Sequence, residues 1–212
     1  MGKDFLNRLK GLYAIIDTTY TGAEEAGETA KKIIEGGAGI LQLRAKGAGS
    51  GEFLRLARAV GAVARAKGAL FIVNDRVDIA LMTGADGVHL GQEDIPVEDA
   101  RRLLGGGAVI GVSTHNLSEA LQADRSRADY ISFGPVFPTG TKKDAEPVTG
   151  TAALKEVKDK VKKPIVAIGG ITEEKFPEVL KSGAAAAAII SDILNSRDIR
   201  GKVAAIIAKT GQ

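Results

Sequence analysis

Two aspartates, Asp75 and Asp94, each stand just past a short apolar run, and two cations, Arg44 and Lys46, close another. Paired carboxylates beside arginine and lysine, in a chain without cysteine or clustered histidine, suit a hard cation such as Mg²⁺ shared with a phosphate ligand. In the segment Gln42-Leu43-Arg44-Ala45-Lys46, an extended backbone puts Gln42, Arg44 and Lys46 on one side and Leu43 and Ala45 on the other. Three polar side chains on one inward side are costly unless a ligand or a counter-charge meets them. Structural duties compete for the same residues. Asp75 could pair with Arg76 or Arg44, Asp94 could cap the helix that opens near Pro96-Val97, and Ser113 could donate to a phosphate or cap the helix near Leu117. His89 and His115 lie too far apart for zinc-type spacing. A Ser-His-Asp hydrolase is disfavoured, because no nucleophile elbow is present.

These residues sit at the ends of runs that read as strands: Leu12–Ile16, Ile40–Leu43, Leu70–Val73, Gly87–Leu90, Val109–Val112, Tyr130–Phe133, Ile165–Ile168 and Ala187–Ile190. The runs are continuously apolar rather than alternating, as in strands buried on both faces of a parallel sheet. Helix patterns separate them, including Glu24–Glu35, Glu52–Lys67, Val77–Met82, Val97–Leu104, Leu117–Asp124, Thr151–Lys160, Glu174–Lys181 and Arg197–Lys209. Strand followed by helix, repeated eight times in 212 residues, predicts an α/β fold of the (β/α)8 TIM-barrel type, one domain over residues 1–212. An open doubly wound sheet is weakened as a rival, since no G-x-G-x-x-G fingerprint follows the first strand. The glycine clusters at Gly36-Gly37 and Gly105-Gly106-Gly107 follow helices and read as helix ends. At 44% hydrophobic and 26% charged, the chain has the composition of a globular protein rather than a disordered one. A net charge of +3 suits small anionic ligands and is too weak to argue for nucleic acid. No apolar run is long enough to span a bilayer, and the first residues lack a signal-peptide core, so a cytoplasmic protein is expected.

In such a barrel, chemistry belongs to the loops that leave the C-terminal strand ends. One half of the rim gathers Gln42, Arg44, Lys46, Asn74, Asp75, His89, Asp94 and Ser113, a set sized for a diphosphate and a metal. The other half holds Gly169-Gly170 after the seventh strand and Ile190-Ser191-Asp192 after the eighth, the usual place for a monophosphate. Between them runs the long connection Gly134–Thr149, which carries Thr139, Thr141 and Lys142 and is expected to act as a lid. Two phosphorylated small molecules meeting across the mouth is the natural inference.

The motifs Gln42-Leu43-Arg44-Ala45-Lys46, Val73-Asn74-Asp75-Arg76, Gly87-Val88-His89-Leu90-Gly91-Gln92-Glu93-Asp94, Gly111-Val112-Ser113-Thr114-His115, Gly134-Pro135-Val136-Phe137-Pro138-Thr139-Gly140-Thr141-Lys142, Ile168-Gly169-Gly170-Ile171 and Ile190-Ser191 resemble those of the thiamine phosphate synthase family. The resemblance implies a transferase that joins 4-amino-2-methyl-5-hydroxymethylpyrimidine diphosphate to 4-methyl-5-(2-phosphooxyethyl)thiazole, releasing pyrophosphate. It places the pyrimidine diphosphate at Gln42, Arg44, Lys46, Asn74, His89, Ser113 and Lys142, and the thiazole phosphate at Thr139, Thr141, Gly170, Ile190 and Ser191. It assigns Mg²⁺ to Asp75 and Asp94, and catalysis to Arg44, Lys46, Ser113 and Lys142. It leaves a homo-oligomer open. One departure is Gly183-Ala184-Ala185-Ala186, where the family commonly carries Gly-Ala-Asp-Gly; another is that Asp17, ending the first strand, has no basic residue beside it in sequence and receives no role. A thiazole tautomerase of the same fold would need only the monophosphate half, and a non-catalytic phosphate-binding barrel would show a degraded carboxylate pair.

Overall fold

The computed structural model describes residues 7–140 and 146–210. Eight parallel strands close into a barrel in chain order: β1 (Gly11–Asp17), β2 (Ile40–Arg44), β3 (Leu70–Asn74), β4 (Gly87–Leu90), β5 (Val109–Thr114), β6 (Tyr130–Phe133), β7 (Ile165–Ile168) and β8 (Ala186–Ile189). Around them lie α1 (Thr18–Thr21), α2 (Ala26–Glu35), α3 (Ser50–Lys67), α4 (Val77–Thr83), α5 (Val97–Leu104), α6 (Leu117–Arg125), α7 (Gly150–Lys160), α8 (Phe176–Lys181), α9 (Ser191–Leu194) and α10 (Ile199–Ala208). The expected (β/α)8 barrel is therefore the fold.

The alternation of side chains along each strand splits the apolar residues into two layers. Leu41, Leu43, Phe71, Val73, Val88, Ile110, Ile131, Phe133 and Ala187 pack between sheet and helices. Tyr13, Ile15, Ile40, Ile72, Val109, Tyr130, Val166, Ala186 and Ala188 fill the barrel itself. Each strand is buried on both faces, which is why the runs read as continuously apolar. Size is traded between neighbours inside. Gly111 on β5 pairs in register with Tyr130 on β6, and a Cβ at Gly111 would overlap the Tyr130 ring.

The strand starts carry a repeated clasp. Asp86, just before β4, donates its N–H to the Phe71 carbonyl at 2.9 Å, and its Oδ2 accepts the Phe71 N–H at 2.8 Å. Asp129, just before β6, does the same with Ile110, at 2.7 and 2.8 Å. Ala185 occupies the equivalent place before β8 and donates its N–H to Ile165 at 2.9 Å, but brings no carboxylate. The departure at Ala185 thus falls at the barrel's base, far from the chemical rim. Ala185→Asp should restore the clasp and raise stability by about 0.5–1.5 kcal/mol, the net worth of one hydrogen bond. Denaturant titration of the two proteins at equal activity checks this.

Candidate active site

Asp75 follows β3 with a φ of 63°, the left-handed region, which aspartate tolerates better than most residues. Its N–H donates to the His89 carbonyl at 2.8 Å, tying this turn to β4. The Asp75 carboxyl meets that of Asp94, whose Oδ2 accepts the Gly91 N–H at 2.6 Å. Lys46 Nζ stands 3.8 Å from Asp75 Oδ2. Arg76 instead pairs with Asp78, and α5 begins after Pro96 without a side-chain cap, so neither aspartate is spent on the structural duties that competed for it. A cleft of ≈310 Å³ opens here, lined by Lys46, Asn74, Asp75, Arg76, Asp94 and Phe53.

Burial pushes the Asp75 carboxyl up to about 6, contact with Asp94 adds to the rise, and Lys46 and Arg44 pull the other way. Two hard-oxygen carboxylates forced together, in a cleft flanked by cations, fit Mg²⁺. That ion commonly takes one or two protein carboxylates and completes its shell with water and phosphate. No third acidic or imidazole group joins the pair among the described residues. The folded-state value lies above the ordinary 3.8, so the stability linked to the neutral carboxyl is fully present below that pH and is lost as pH rises through about 6. Without metal at pH 7, Asp75→Asn should therefore gain about 1–2 kcal/mol, roughly 3–6 °C in Tm. Asparagine keeps the left-handed backbone, and the gain should vanish near pH 4; calorimetry in chelator at both pH values tests it.

Arg44 ends β2 and forms an ion pair with Asp17, which ends the neighbouring β1 in register with it. Asp17 also accepts the Thr19 N–H at 3.0 Å and the Thr19 hydroxyl at 2.7 Å, capping α1. This corrects the sequence reading, which found no base near Asp17: the base comes from the next strand. Gln42 lies one layer deeper, where its Nε2 donates to the Tyr13 hydroxyl at 2.9 Å. Lys46 is past the strand end and 59% exposed, so the inward trio contains two residues rather than three.

Ser113 faces inward from β5 and its Oγ lies 3.0 Å from His89 Nε2. It does not cap α6; Asn116 does, its side chain accepting the Glu119 N–H at 3.0 Å. Asn74 ends β3 beside His89 on β4. The structure thus brings Gln42, Arg44, Lys46, Asn74, Asp75, His89, Asp94 and Ser113 to one side of the mouth.

On the other side, the chain after β6 runs along the end of β7. Val136 N–H donates to Ile168 at 2.9 Å and Phe137 N–H to Gly169 at 3.0 Å. Gly170 has a φ of 61°, and a Cβ there would overlap the Pro138 carbonyl, so only glycine fits against the residue before Thr139. Thr149 N–H closes the far end of the loop onto Pro135 at 2.8 Å. Thr141 and Lys142 lie outside the described residues. Ile190 and Ser191 stand at the turn from β8 into α9, and Ser191 borders a cleft of ≈410 Å³ with Thr172, Asp192 and Lys202. Thr172 Oγ1 is buried there without a partner among the described residues. Lys202, by contrast, is held by Glu173 at 3.0 Å and Asp192 at 3.1 Å.

Sequence reasoning missed Asp17, Tyr13, Tyr130 and Thr172. Strand parity was the available signal: Tyr13 and Asp17 alternate with Ala14 and Ile16 and so face inward, as Tyr130 does opposite Ile131.

A closed βα barrel that gathers a carboxylate pair and cations on one side of its mouth and glycine turns on the other has the architecture of the barrel enzymes, whose chemistry sits at the C-terminal strand ends. The profile of thiamine monophosphate synthase matches residues 12–193. A thiamine-phosphate synthase of Shouchella clausii is 44% identical over 198 residues, covering 93% of this chain and 94% of that protein. One from Methanocella arvoryzae is 45% identical, covering 89% of each. The solved thiamine phosphate pyrophosphorylase of Pyrococcus furiosus superposes with a TM-score of 0.89 at 38% identity, covering 98% of both chains. The chain belongs to the thiamine-phosphate synthase family, transferases of thiamine biosynthesis. Among the described residues no helix is long and apolar enough to cross a membrane.

Proposed function

We propose that this chain joins the hydroxymethylpyrimidine diphosphate to the thiazole phosphate with loss of pyrophosphate, and that the two halves of the rim divide the substrates between them. The observation that carries the division is the contact of Asp75 with Asp94 beside Lys46 and Arg44. The thiazole nitrogen donates its electron pair to the pyrimidine methylene carbon as the carbon–oxygen bond to diphosphate breaks and pyrophosphate departs with that pair. No protein nucleophile is required, so the side chains serve to align the partners and to stabilise charge on the leaving group. Asp75 and Asp94 would hold Mg²⁺, which when bound supplies positive charge against the diphosphate oxygens. Arg44 and Lys46 add charge from the protein, Ser113 offers a hydroxyl donor, and Lys142 is assigned the same service from the long loop. Gln42, Asn74 and His89 line the pyrimidine. Thr139, Thr141, Gly170, Ile190 and Ser191 take the thiazole phosphate, and the Thr172 hydroxyl, without a partner among the described residues, adds a donor nearby.

A cytoplasmic enzyme acting on small phosphorylated molecules, with no nucleic-acid or membrane partner, agrees with the composition. Purified protein, Mg²⁺ and both precursors should give thiamine phosphate and pyrophosphate in equal amounts, with chelator stopping the reaction and added magnesium restoring it. Product formed at full rate in metal-free buffer would remove the carboxylates from the account. A protein that altered only the thiazole, leaving the diphosphate intact, would be a tautomerase instead.

A further inference from the structure

Five polar side chains from five strands link hands across the barrel interior. Gln42 Nε2 lies 2.9 Å from Tyr13 Oη, which lies 2.9 Å from Tyr130 Oη, which lies 2.9 Å from His89 Nδ1; His89 Nε2 then lies 3.0 Å from Ser113 Oγ. We propose that Tyr13 and Tyr130 are positioning residues, fixing His89 as its Nε2–H tautomer and thereby turning the Ser113 hydroxyl proton outward to the rim, where the diphosphate oxygens arrive.

The direction of the chain follows from proton counting. The Gln42 amide nitrogen can only donate, so the Tyr13 oxygen accepts. Tyr13 is fully buried, and its hydroxyl has one proton, for which Tyr130 Oη is the acceptor in reach among the described residues. The Tyr130 hydroxyl in turn lies 2.9 Å from His89 Nδ1, and in the assigned chain it gives its proton there, to a bare ring nitrogen. Nε2 carries the ring proton and gives it to Ser113 Oγ, leaving the serine proton free to point elsewhere. Burial holds both tyrosines well above the ordinary phenol range, so the chain is not interrupted by ionisation. The Tyr130 ring also stacks on the His89 imidazole, with centroids 5.5 Å apart and planes 25° apart, and it fits only because β5 offers Gly111 beneath it. Had Nδ1 carried the proton, Nε2 would accept from Ser113 and the hydroxyl would face inward. The proposal rests on the reading that Ser113 meets the diphosphate, and it connects that residue to Gln42, assigned to the pyrimidine ring.

The test uses the whole chain with ¹⁵N-labelled histidine. Only His89 and His115 are present, so the two ring systems are readily separated by nuclear magnetic resonance. The unsubstituted protein should show His89 as the Nε2–H tautomer, and Tyr130→Phe should introduce a clear share of the Nδ1–H form with little change in Tm. Turnover in Tyr130→Phe should fall about 10-fold at near-constant KM, the scale for losing an outer partner of a working side chain. Added to Ser113→Ala, the same change should cost nothing more. Tyr13→Phe, one link further back, should repeat the effect more weakly and serves if Tyr130→Phe folds poorly. A His89 tautomer that ignores both tyrosines would overturn the chain. Full activity of Ser113→Ala alongside a shifted tautomer would instead remove the diphosphate role of Ser113, and with it the catalytic half of the proposal.

Discussion

Asp94→Asn will make thiamine phosphate roughly 10²–10³-fold more slowly than the unsubstituted protein, the scale for removing one preorganised electrostatic partner. Asparagine can still accept the Gly91 N–H through its side-chain oxygen, a bond that Asp94 Oδ2 makes at 2.6 Å, so the turn after β4 keeps its shape. What disappears is the negative charge and the strong metal oxygen. Relief of repulsion with Asp75 should leave the metal-free protein at least as stable as before. Rates with saturating substrates across a magnesium titration, read beside Tm, separate the two effects. Activity within about threefold of the original at modest Mg²⁺ would contradict the assignment, using the coupling expected for a direct ligand.

The second large effect concerns stability. Arg44→Ala removes the partner of Asp17, whose side chain is 0% exposed, and leaves that carboxylate buried with only the Thr19 bonds among the described residues. Breaking a buried pair from one side costs about 3–5 kcal/mol. Loss of diphosphate affinity in Arg44→Ala would therefore mix a ligand contact with a damaged strand end. The double change Asp17→Asn with Arg44→Ala resolves it. Stability should recover by at least half, while binding of the pyrimidine diphosphate stays weakened by the roughly 1.5–3 kcal/mol of a charge-assisted hydrogen bond. Affinity for the thiazole phosphate should scarcely move. Equal weakening of both ligands would make Arg44 structural and erase the division of the rim.

The barrel was legible because every strand is sandwiched, and double burial leaves an unbroken apolar run that needs no partner to be seen. β4, β6 and β7 coincide with the sequence reading, and α5 does so at both ends. β8 starts and ends one residue earlier than expected, since five consecutive alanines, Ala184–Ala188, carry no contrast from which to read a boundary. α2 and α8 begin two residues later than their charged starts suggested, and the one-turn α1 and α9 are too short to show a period. The candidate site could be read wherever a polar residue follows an apolar run, as at Arg44, Asp75 and Ser113. Tyr13 and Tyr130 were not, because an aromatic inside a strand looks like core. Their hydroxyls meet 117 residues apart in sequence, and only closure of the barrel brings β1 and β6 to face each other.

The amides of Val136 and Phe137 bound to the end of β7, together with the close fit of Pro138 over Gly170, have a bearing on how such enzymes could be remodelled. The stretch after β6 and the turn after β7 behave as one module with a shared backbone seam. A segment transplanted from another barrel would have to arrive with its matching double-glycine turn, because any side chain at the second glycine would pry the two apart. Changes in which ring or phosphate is accepted should therefore come most readily from side chains within the seam's span, and wholesale exchange of either loop alone should yield misassembled mouths.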